Sequence, residues 1–465
     1  VSAADFRSVM ELIEQYPVVA YFGISPDRFQ LILRQAAAHG ADRFGIARAF
    51  QSVLGGQRLE KCAGGPLVAG TDAPVIPRWA STMGTMIVLR LRGRAHECHQ
   101  ILDILDPHLR LASPVVSDSS GWDTLVPLQA GITAMLAGDY KRALDYFTLA
   151  QLQPIVPGLP MLTRDAYAKS ALVHALFGKP QMAELMLDYA AGVPRTSSWA
   201  EASIDATLTL AEAALDLRDT DRAMAKINSI MLHQLGEMWP FFVLATRRTL
   251  EHAGRHRDLT AAVDRFDVMP FPRVAESGEA GSVFALARVS ANVLTGDIDA
   301  ARAALVEADP DYVGTRLSQL HVELRAGRWS DAIRVAHSLD QEKWRGLQQV
   351  ESARLAGLAE AFLQLNRTME LEDVLRTVVA LGFSGCDLIN FSEEVLAYGE
   401  TTIANWPQRT QPPTAAIGGR CVTDATLTKR ELEILRLLEG DVPLREIAES
   451  AFISLNTLKT HLRTI

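Results

Sequence analysis

Cysteine is scarce in this chain of 465 residues, and the spacing of the four that it has excludes several kinds of site. Cys62, Cys98, Cys386 and Cys421 lie far apart and form no Cys-x-x-Cys pair. A zinc ribbon, a dithiol redox motif and a secreted disulfide framework all need closely or regularly spaced cysteines. We therefore expect none of these, and we predict a location in the reducing cytoplasm.

Long apolar runs are also missing. The most apolar short run, residues 86–89, is interrupted at Arg90 and Arg92, far short of the roughly 18 apolar residues that a membrane-spanning helix needs. No basic and then apolar signal peptide follows Val1. We expect a protein without a membrane partner, and we expect its native start to precede Val1.

Motifs for nucleotide, metal or catalytic chemistry are lacking as well. Gly178-Lys179 is followed by Pro180, so the phosphate-binding pattern Gly-x-x-x-x-Gly-Lys-Ser/Thr is absent and we expect no ATP or other cofactor. His96 and His99 stand one residue closer together than the histidines of a zincin motif, so we expect no metal site. No other group of residues supports catalysis, and we predict that the protein is not an enzyme.

Positive charge is in deficit, because the formal net charge is −9. Residues 424–465 hold six Lys/Arg and seven Asp/Glu, so the rest of the chain carries a net charge of −8. An acidic body repels phosphates. Any contact with DNA is therefore expected to be confined to a small surface at one end of the chain.

Apolar residues at three- and four-residue spacing, typical of amphipathic helices, fill residues 79–399 with small or polar breaks between the segments. In the clearest unit a turn glycine is followed by small and aromatic residues: Gly131, Gly138-Asp139-Tyr140, Ala143, Phe147 and Ala150. A turn glycine ends one helix, a small alanine lets two helices approach, and an aromatic ring fills the groove between them. The unit resembles the tetratricopeptide pattern Gly-x-Tyr-x-x-Ala-x-x-x-Phe-x-x-Ala.

The same offsets recur along the chain and predict a repeat. Three further copies share the pattern: Gly178, Pro180, Ala183, Leu187 and Ala190; Gly296, Ile298, Ala301, Leu305 and Ala308; and Gly327, Trp329, Ala332 and Ala336. Degenerate copies align on Gly93, Arg218, Gly254 and Asn366, which gives eight anchors with a mean spacing of 39 residues. A standard tetratricopeptide unit has about 34. We predict an all-α, tetratricopeptide-like right-handed helical solenoid, similar to that of the large maltose-regulator-type members of the LuxR superfamily but without their ATPase module.

Breaks in the helical pattern set the predicted domain boundaries. Ser25-Pro26 supplies an N-cap and a first-turn proline for a helix through Ala38. The glycines and prolines between Gly55 and Pro77 exclude regular helix there. We predict an N-terminal helical cap with a Gly/Pro-rich loop at 1–78, the solenoid at 79–410, a flexible linker at 411–424 and a last domain at 425–465.

The last domain carries a motif of many residues at fixed spacings: Leu427, Thr428, Arg430 and Glu431, then Glu446-Ile447-Ala448, then Ile453, Ser454, Thr457, Lys459 and His461. Thr428 and Glu431 form a predicted capping box for its first helix, and Ser454 caps its third. The segment resembles the bacterial LuxR-type helix-turn-helix domain, which implies binding to double-stranded DNA and transcription regulation. The family pattern continues past Ile465 with a helix that pairs two subunits, so we expect the domain to be truncated at its C-terminus.

The third helix of this domain is the predicted recognition helix, and two sets of contacts remain open. At about 100° per residue, Asn456, Thr460 and Arg463 lie on the side opposite the apolar residues. The family resemblance instead implies Thr457, Lys459 and His461 as contacts to bases or phosphates, although His461 lies nearer the apolar side and packing is its alternative role. In the major groove Asn pairs with adenine, and Arg or Lys pairs with guanine.

Two functions follow from this organisation. In the first, the solenoid senses a peptide or small-molecule effector, or a protein partner in its groove, and brings the two DNA-binding domains of a homodimer to half-sites one helical turn apart. In the second, the solenoid is a protein-interaction scaffold and the DNA-binding domain is auxiliary or non-functional. A footprint on a palindrome favours the first, and capture of a protein without a footprint favours the second.

Overall fold

Every regular element in the described residues of this computed structural model is a helix, and these residues are 6–38, 75–111, 121–385 and 387–408. The predicted all-α class is therefore confirmed. The chain divides into two compact units, Val1–Ile417 and Gly418–Ile465. The second unit lies outside the described residues, as do residues 39–74 and the predicted linker.

Three short helices come first, α1 (Phe6–Gln15), α2 (Pro17–Gly23) and α3 (Pro26–Ala38). Pro26 begins α3, as predicted, at a position where the missing N–H of proline costs nothing. The indole of Trp199 stacks on Phe22 with the ring centroids 5.7 Å apart. Its N–H donates to the carbonyl oxygen of Tyr21 over 2.9 Å, and this bond joins residues 178 positions apart in the chain. The N-terminal helices thus pack against a loop in the middle of the helical array.

Eight helical hairpins follow in the described residues. In each hairpin the two helices pack against each other, and the first helix packs against the first helix of the next hairpin. Contact between neighbours in sequence is typical of a helical repeat array. The hairpins, numbered 1 to 8, are α4–α5 (Val75–Leu91, Ala95–Leu111), α6–α7 (Trp122–Leu136, Tyr140–Gln151), α8–α9 (Pro160–Leu176, Pro180–Gly192), α10–α11 (Glu201–Leu215, Thr220–Ser229), α12–α13 (Trp239–His252, His256–Asp267), α14–α15 (Gly278–Thr295, Ile298–Leu305), α16–α17 (Val313–Arg325, Trp329–Ser338) and α18–α19 (Gln348–Gln364, Thr368–Ala380), with α20 (Glu393–Thr402) after them.

All eight predicted anchors fall in the turns between the two helices of a hairpin. Six of them have a positive φ, including Gly138 at 84°. Asn366 also has a positive φ, of 55°, although its side chain makes this conformation less favourable than it is for glycine. This conformation ends the first helix, and glycine adopts it at little cost. In hairpin 2 the next residue, Asp139, accepts a hydrogen bond from the amide of Arg142 and caps the second helix. The turn positions of the repeat are confirmed, whereas the tetratricopeptide comparison and the handedness stay predictions.

The packing follows the same register. The residue five positions after each anchor is at most 1% exposed in all eight hairpins: Cys98, Ala143, Ala183, Ala223, Leu259, Ala301, Ala332 and Leu371. In hairpin 2 the ring of Phe147 lies so close to Gly131 that a Cβ added there would meet it at 2.5 Å. The predicted roles of glycine, alanine and the aromatic residue are therefore confirmed in this unit.

First and second helices differ in burial. In α6 twelve of the fifteen residues are buried, whereas in α7 the buried residues form one stripe, Tyr140, Ala143, Tyr146, Phe147 and Ala150. A helix that is buried on every side needs neighbours on every side. These neighbours include distant hairpins, since α14 contacts α5 and α6. The backbone amide of Gln349 in hairpin 8 also donates to the carbonyl oxygen of Phe177 in hairpin 3 over 3.0 Å.

One prediction about the Gly/Pro-rich loop is wrong, whereas the predicted domain boundaries stay predictions. We expected no regular helix up to Pro77, but α4 begins at Val75. Pro77 stands in the first turn of α4, where backbone amides have no partner within the helix, so a residue without an N–H is tolerated.

Candidate functional site

The residues predicted to contact DNA, Asn456, Thr457, Lys459, Thr460, His461 and Arg463, lie outside the described residues. The predicted capping residues Thr428, Glu431 and Ser454 do so as well. Their placement stays a prediction from the sequence.

Within the described residues, buried polar side chains concentrate on the first helices of hairpins 5 to 7 and meet one tyrosine of hairpin 2. Buried polar groups are costly unless they are paired, so such a concentration needs an explanation. We call this group the inner polar cluster: Tyr140, Arg247, Arg248, Glu251, His252, Glu279, Tyr312 and His321.

Glu279 holds one half of the cluster together. Its Oε2 accepts hydrogen bonds from the hydroxyls of Tyr140, over 2.6 Å, and of Tyr312, and the two hydroxyls lie 3.1 Å apart. Burial raises the pKa of the Glu279 carboxyl, although both phenols oppose this by stabilising its ionised form. Burial and the Glu279 charge together raise the pKa of both tyrosines well above the usual value. At neutral pH the tyrosines therefore act as donors that hold hairpins 2, 6 and 7 together.

Glu251 holds the other half. Burial alone would raise its pKa, but a hydrogen bond from His321 and the charge of Arg247 lower the pKa to about 2. The Nδ1 atom of His321 lies 3.4 Å from Oε1 of Glu251. The guanidinium of Arg248 donates to the carbonyl oxygen of Leu176 at the end of α8, and burial followed by the charge of Arg247 lowers its pKa to about 10. Glu251 is thus ionised and paired, and Arg248 joins hairpin 5 to hairpin 3.

Several atoms of the cluster have no hydrogen-bond partner. These are Nε and Nη1 of Arg247, Oε1 of Glu279, Nε2 of His321 and both ring nitrogens of His252. Burial and the charge of Arg248 lower the pKa of His252, so this imidazole is neutral at pH 7. Arg247 nevertheless keeps 9% of its surface exposed and borders accessible space.

Sequence reasoning missed this cluster. The sequence did contain a signal for it. Residues 239–245 are all apolar, and the same helix then carries the charged residues Arg247, Arg248 and Glu251. Charged residues are rarely buried without partners. The pattern alone, however, does not show which distant helix supplies the partner.

The histidines considered for metal binding are engaged elsewhere. Nε2 of His96 lies 2.8 Å from Oδ2 of Asp309, and Nε2 of His99 lies 3.4 Å from Oδ2 of Asp139. Cys98 is buried as a free thiol. Across the part of the chain that the structure describes, no group of three or more His, Cys, Asp or Glu side chains has an arrangement that could hold a metal ion.

Comparison with known proteins bears on the C-terminal end. No helix in the described ranges is long and apolar enough to cross a membrane. No curated protein and no solved structure matches the chain. Residues 425–465 match the family described as bacterial regulatory proteins, luxR family. The predicted LuxR-type helix-turn-helix is thereby confirmed, and it points to a DNA-binding transcription regulator rather than to an enzyme. The chain therefore carries a DNA-binding domain of the LuxR family at its C-terminal end.

Proposed function

We propose that this protein is a sequence-specific transcription regulator whose helical hairpins sense an effector and control DNA binding by residues 425–465. The observation that carries the proposal is the match of these residues to the LuxR family of regulatory proteins. The regulator works in the cytoplasm, where its DNA is accessible.

The DNA contacts of the proposal are those of the recognition helix. Lys459 and Arg463 supply its cations, which bind guanine edges or phosphates, and Asn456 pairs with adenine. Since the rest of the chain carries a net charge of −8, it adds repulsion rather than non-specific affinity. One such domain binds weakly. A homodimer that places two domains on adjacent half-sites raises the effective concentration of the second, and this pairing is the step that an effector controls.

The inner polar cluster supports effector sensing by the hairpins. It joins side chains of hairpins 2, 5, 6 and 7, which are distant in sequence. A ligand bound there changes the contacts between early and late hairpins together. An effector that binds one arrangement of the hairpins better than another shifts their population, and this is the requirement for allosteric control.

A selection experiment tests the function. The full chain is used to enrich sequences from a pool of random DNA duplexes, in parallel with a Lys459→Ala/Arg463→Ala variant and with Lys141→Ala/Arg257→Ala as the matched control. Lys141 and Arg257 are exposed and lie in hairpins 2 and 5. Each lost base contact costs roughly 1–3 kcal/mol, so affinity falls at least tenfold in the first variant and stays unchanged in the control.

The same experiment separates the alternative. Enrichment of a common sequence that survives the loss of Lys459 and Arg463 refutes the assignment of these residues. Failure of the full chain to enrich any sequence, in the presence or absence of cell extract, supports the interaction-scaffold function instead.

A further inference from the structure

The turns of the first hairpins pack against loops that lie five hairpins further along the array. We call the eight anchor turns the turn edge, and the segments directly ahead of the first helix of each hairpin the loop edge. A Cβ added to Gly93, in the turn of hairpin 1, would lie 2.6 Å from the Cα of Arg273, ahead of hairpin 6. A Cβ added to Gly138, in the turn of hairpin 2, would lie 2.8 Å from the ring of Tyr312, directly ahead of hairpin 7.

The turns of hairpins 3 and 4 follow the same rule. The carbonyl oxygen of Phe177 accepts a hydrogen bond over 3.0 Å from the amide of Gln349, the second residue of the first helix of hairpin 8. The guanidinium of Arg218 donates over 2.6 Å to the carbonyl oxygen of Gly385, in the loop ahead of α20, which takes the ninth position. The turn edge of hairpins 1 to 4 is thus covered by the loop edge of positions 6 to 9.

The turn edge of hairpins 5 to 8 is bare by comparison. Within the described residues no hairpin stands five positions after them. The anchors of hairpins 1 to 3 are buried and that of hairpin 4 is half-buried, whereas Gly254, Gly296, Gly327 and Asn366 are all exposed. A Cβ added to Gly254 or Gly296 would meet nothing within 4 Å. Equivalent surfaces of the repeat are therefore covered in the first half of the array and open in the second.

The N-terminal helices cover the loop edge at the other end of the array. Hairpins 2 to 4 have no hairpin five positions before them in the described residues, and α2 lies there instead. A Cβ added to Gly121, directly ahead of hairpin 2, would lie 3.4 Å from Val18 of α2 and 2.5 Å from Leu159, directly ahead of hairpin 3. The hydroxyl of Ser198, ahead of hairpin 4, donates over 2.8 Å to the carbonyl oxygen of Phe22. Helix α2 thus contacts the loop edge of three consecutive hairpins.

The open edge at one end of the array matches the capped edge at the other. Since α20 takes the ninth position, hairpin 1 of a second copy would take the tenth. An offset of five then sets hairpins 6, 7 and 8 of one copy against hairpins 2, 3 and 4 of the next. We propose that α1, α2 and α3 form a removable cap, and that the loop edge of hairpins 2 to 4, once uncapped, binds the turn edge of hairpins 6 to 8 of a second copy. This contact is heterologous, because it joins different surfaces of the two copies.

One exposed side chain stands at the contacting register of the open edge. In hairpin 1 the contacting residue is His96, three positions after the anchor Gly93, and its Nε2 lies 2.8 Å from Oδ2 of Asp309, ahead of hairpin 7. In hairpin 8 the same position after the anchor Asn366 is Met369, which is 78% exposed. Met369 is therefore placed to contact the loop edge of hairpin 4 in a second copy.

The loop edge of hairpin 4 offers an aromatic surface to such a side chain. The ring of Trp199 stacks on Phe22 of the cap, with the centroids 5.7 Å apart. A thioether packs favourably against an aromatic ring, so Met369 takes the place of Phe22 when the cap leaves. Because the cap belongs to the same chain, its effective concentration exceeds that of a second copy, and the natural chain stays capped.

Sedimentation of the full chain over a range of protein concentrations tests the role of the cap. Val18 is 0% exposed, so Val18→Asp places a charge in the contact and releases the cap. This variant is expected to associate at least tenfold more tightly than the natural chain. Leu12→Asp is the matched control, because Leu12 is 58% exposed on α1, and it should behave as the natural chain does. Phe22→Asp is a second way to release the cap.

A titration identifies the two surfaces. The labelled chain Val18→Asp/Met369→Glu has an open loop edge and a defective turn edge, so it should bind the natural chain, whose turn edge is intact. Met369→Glu in the titrated chain should weaken this binding at least tenfold, since an apolar contact at the centre of an interface is lost. Val306→Glu is the matched control, because Val306 is also 78% exposed but lies at the far end of its hairpin from the turn, and it should leave binding unchanged.

Four results overturn the inference. Val18→Asp and Phe22→Asp associate no more than the natural chain, Met369→Glu binds as well as the natural chain, Val306→Glu weakens binding as much as Met369→Glu, or both cap variants lose the cooperative unfolding of the hairpins. The last result counts because a removable cap leaves the hairpins folded. The association needs no DNA, so it should persist in Lys459→Ala/Arg463→Ala, and failure of the proposed function would leave it intact.

Discussion

The contact between Gly131 and Phe147 gives the sharpest test of how the hairpins pack. A Cβ at position 131 would lie 2.5 Å from two carbons of the Phe147 ring and 3.2 Å from the carbonyl oxygen of Ala143. Since ordinary contacts between carbons are about 3.5–4.0 Å, the ring or the helix has to move by about 1 Å. Phe147 is 0% exposed, so neighbours on every side resist this movement.

The expected magnitude follows from two opposing terms. Overpacking a close-packed core costs about 1–3 kcal/mol, whereas replacing glycine by alanine inside a helix gains up to about 1 kcal/mol. Gly192→Ala is the control, because Gly192 is the last residue of a helix and a Cβ there meets nothing within 4 Å. The difference in unfolding free energy between Gly131→Ala and Gly192→Ala should therefore be about 1–3 kcal/mol.

Urea unfolding of the full chain, followed by far-ultraviolet circular dichroism, measures this difference. A double variant, Gly131→Ala with Phe147→Leu, should lose less than the sum of the two single variants, because the smaller side chain makes room for the added methyl group. If Gly131→Ala is as stable as Gly192→Ala, the aromatic ring does not fill the glycine groove and the packing argument for the repeat fails.

Three further predictions concern other parts of the described chain, and urea unfolding measures each. The pKa of Glu251 is lowered to about 2. Its ionised form therefore contributes roughly 3 kcal/mol to the unfolding free energy at pH values above about 4.5, the pKa in the unfolded chain, and this contribution is lost as the pH falls from there towards 2. Glu251→Gln should lack this part of the pH dependence and should be less stable at neutral pH. Asn366 has a φ of 55°, so Asn366→Gly should be about 1 kcal/mol more stable than Asn366→Ala, and equal stability contradicts the assigned turn. Arg90, whose side chain is 1% exposed, pairs with Glu237 over 2.8 Å. Glu237→Ala should lower the unfolding free energy by roughly 3 kcal/mol, because it leaves the buried guanidinium without its partner, and Arg90→Met/Glu237→Leu should recover most of this loss. Unchanged stability of Glu237→Ala would show that the ion pair contributes nothing.

The repeat was readable from the sequence because its signals are local. A glycine or asparagine that ends a helix, and a small residue five positions later, act within one hairpin, and both roles are visible at Gly138 and Ala143. Degenerate copies of the pattern also located hairpins 4, 5 and 8. Arg218, Gly254 and Asn366 each lie in the turn between the two helices of their own hairpin.

Contacts between distant hairpins were not readable in this way. Tyr140 looks like an ordinary aromatic residue of the repeat, yet its hydroxyl donates to Glu279, 139 positions later in the chain. Nothing in the local pattern of either helix specifies this pairing, because it depends on which distant hairpins pack against each other. The DNA-binding residues show the opposite case, since a motif of fixed spacings identifies the domain at 425–465, while the role of each residue in it stays a prediction.

The central claim is that the C-terminal LuxR-type domain gives this protein sequence-specific binding to DNA. The most direct measurement is a titration of the full chain, at one fixed salt concentration, against its enriched duplex and against a scrambled duplex of the same composition. The account predicts that the enriched duplex binds at least about 1,000-fold more tightly, the low end of the range for specific regulators, and that Lys459→Ala/Arg463→Ala reduces this ratio. Equal affinity for the two duplexes would contradict it.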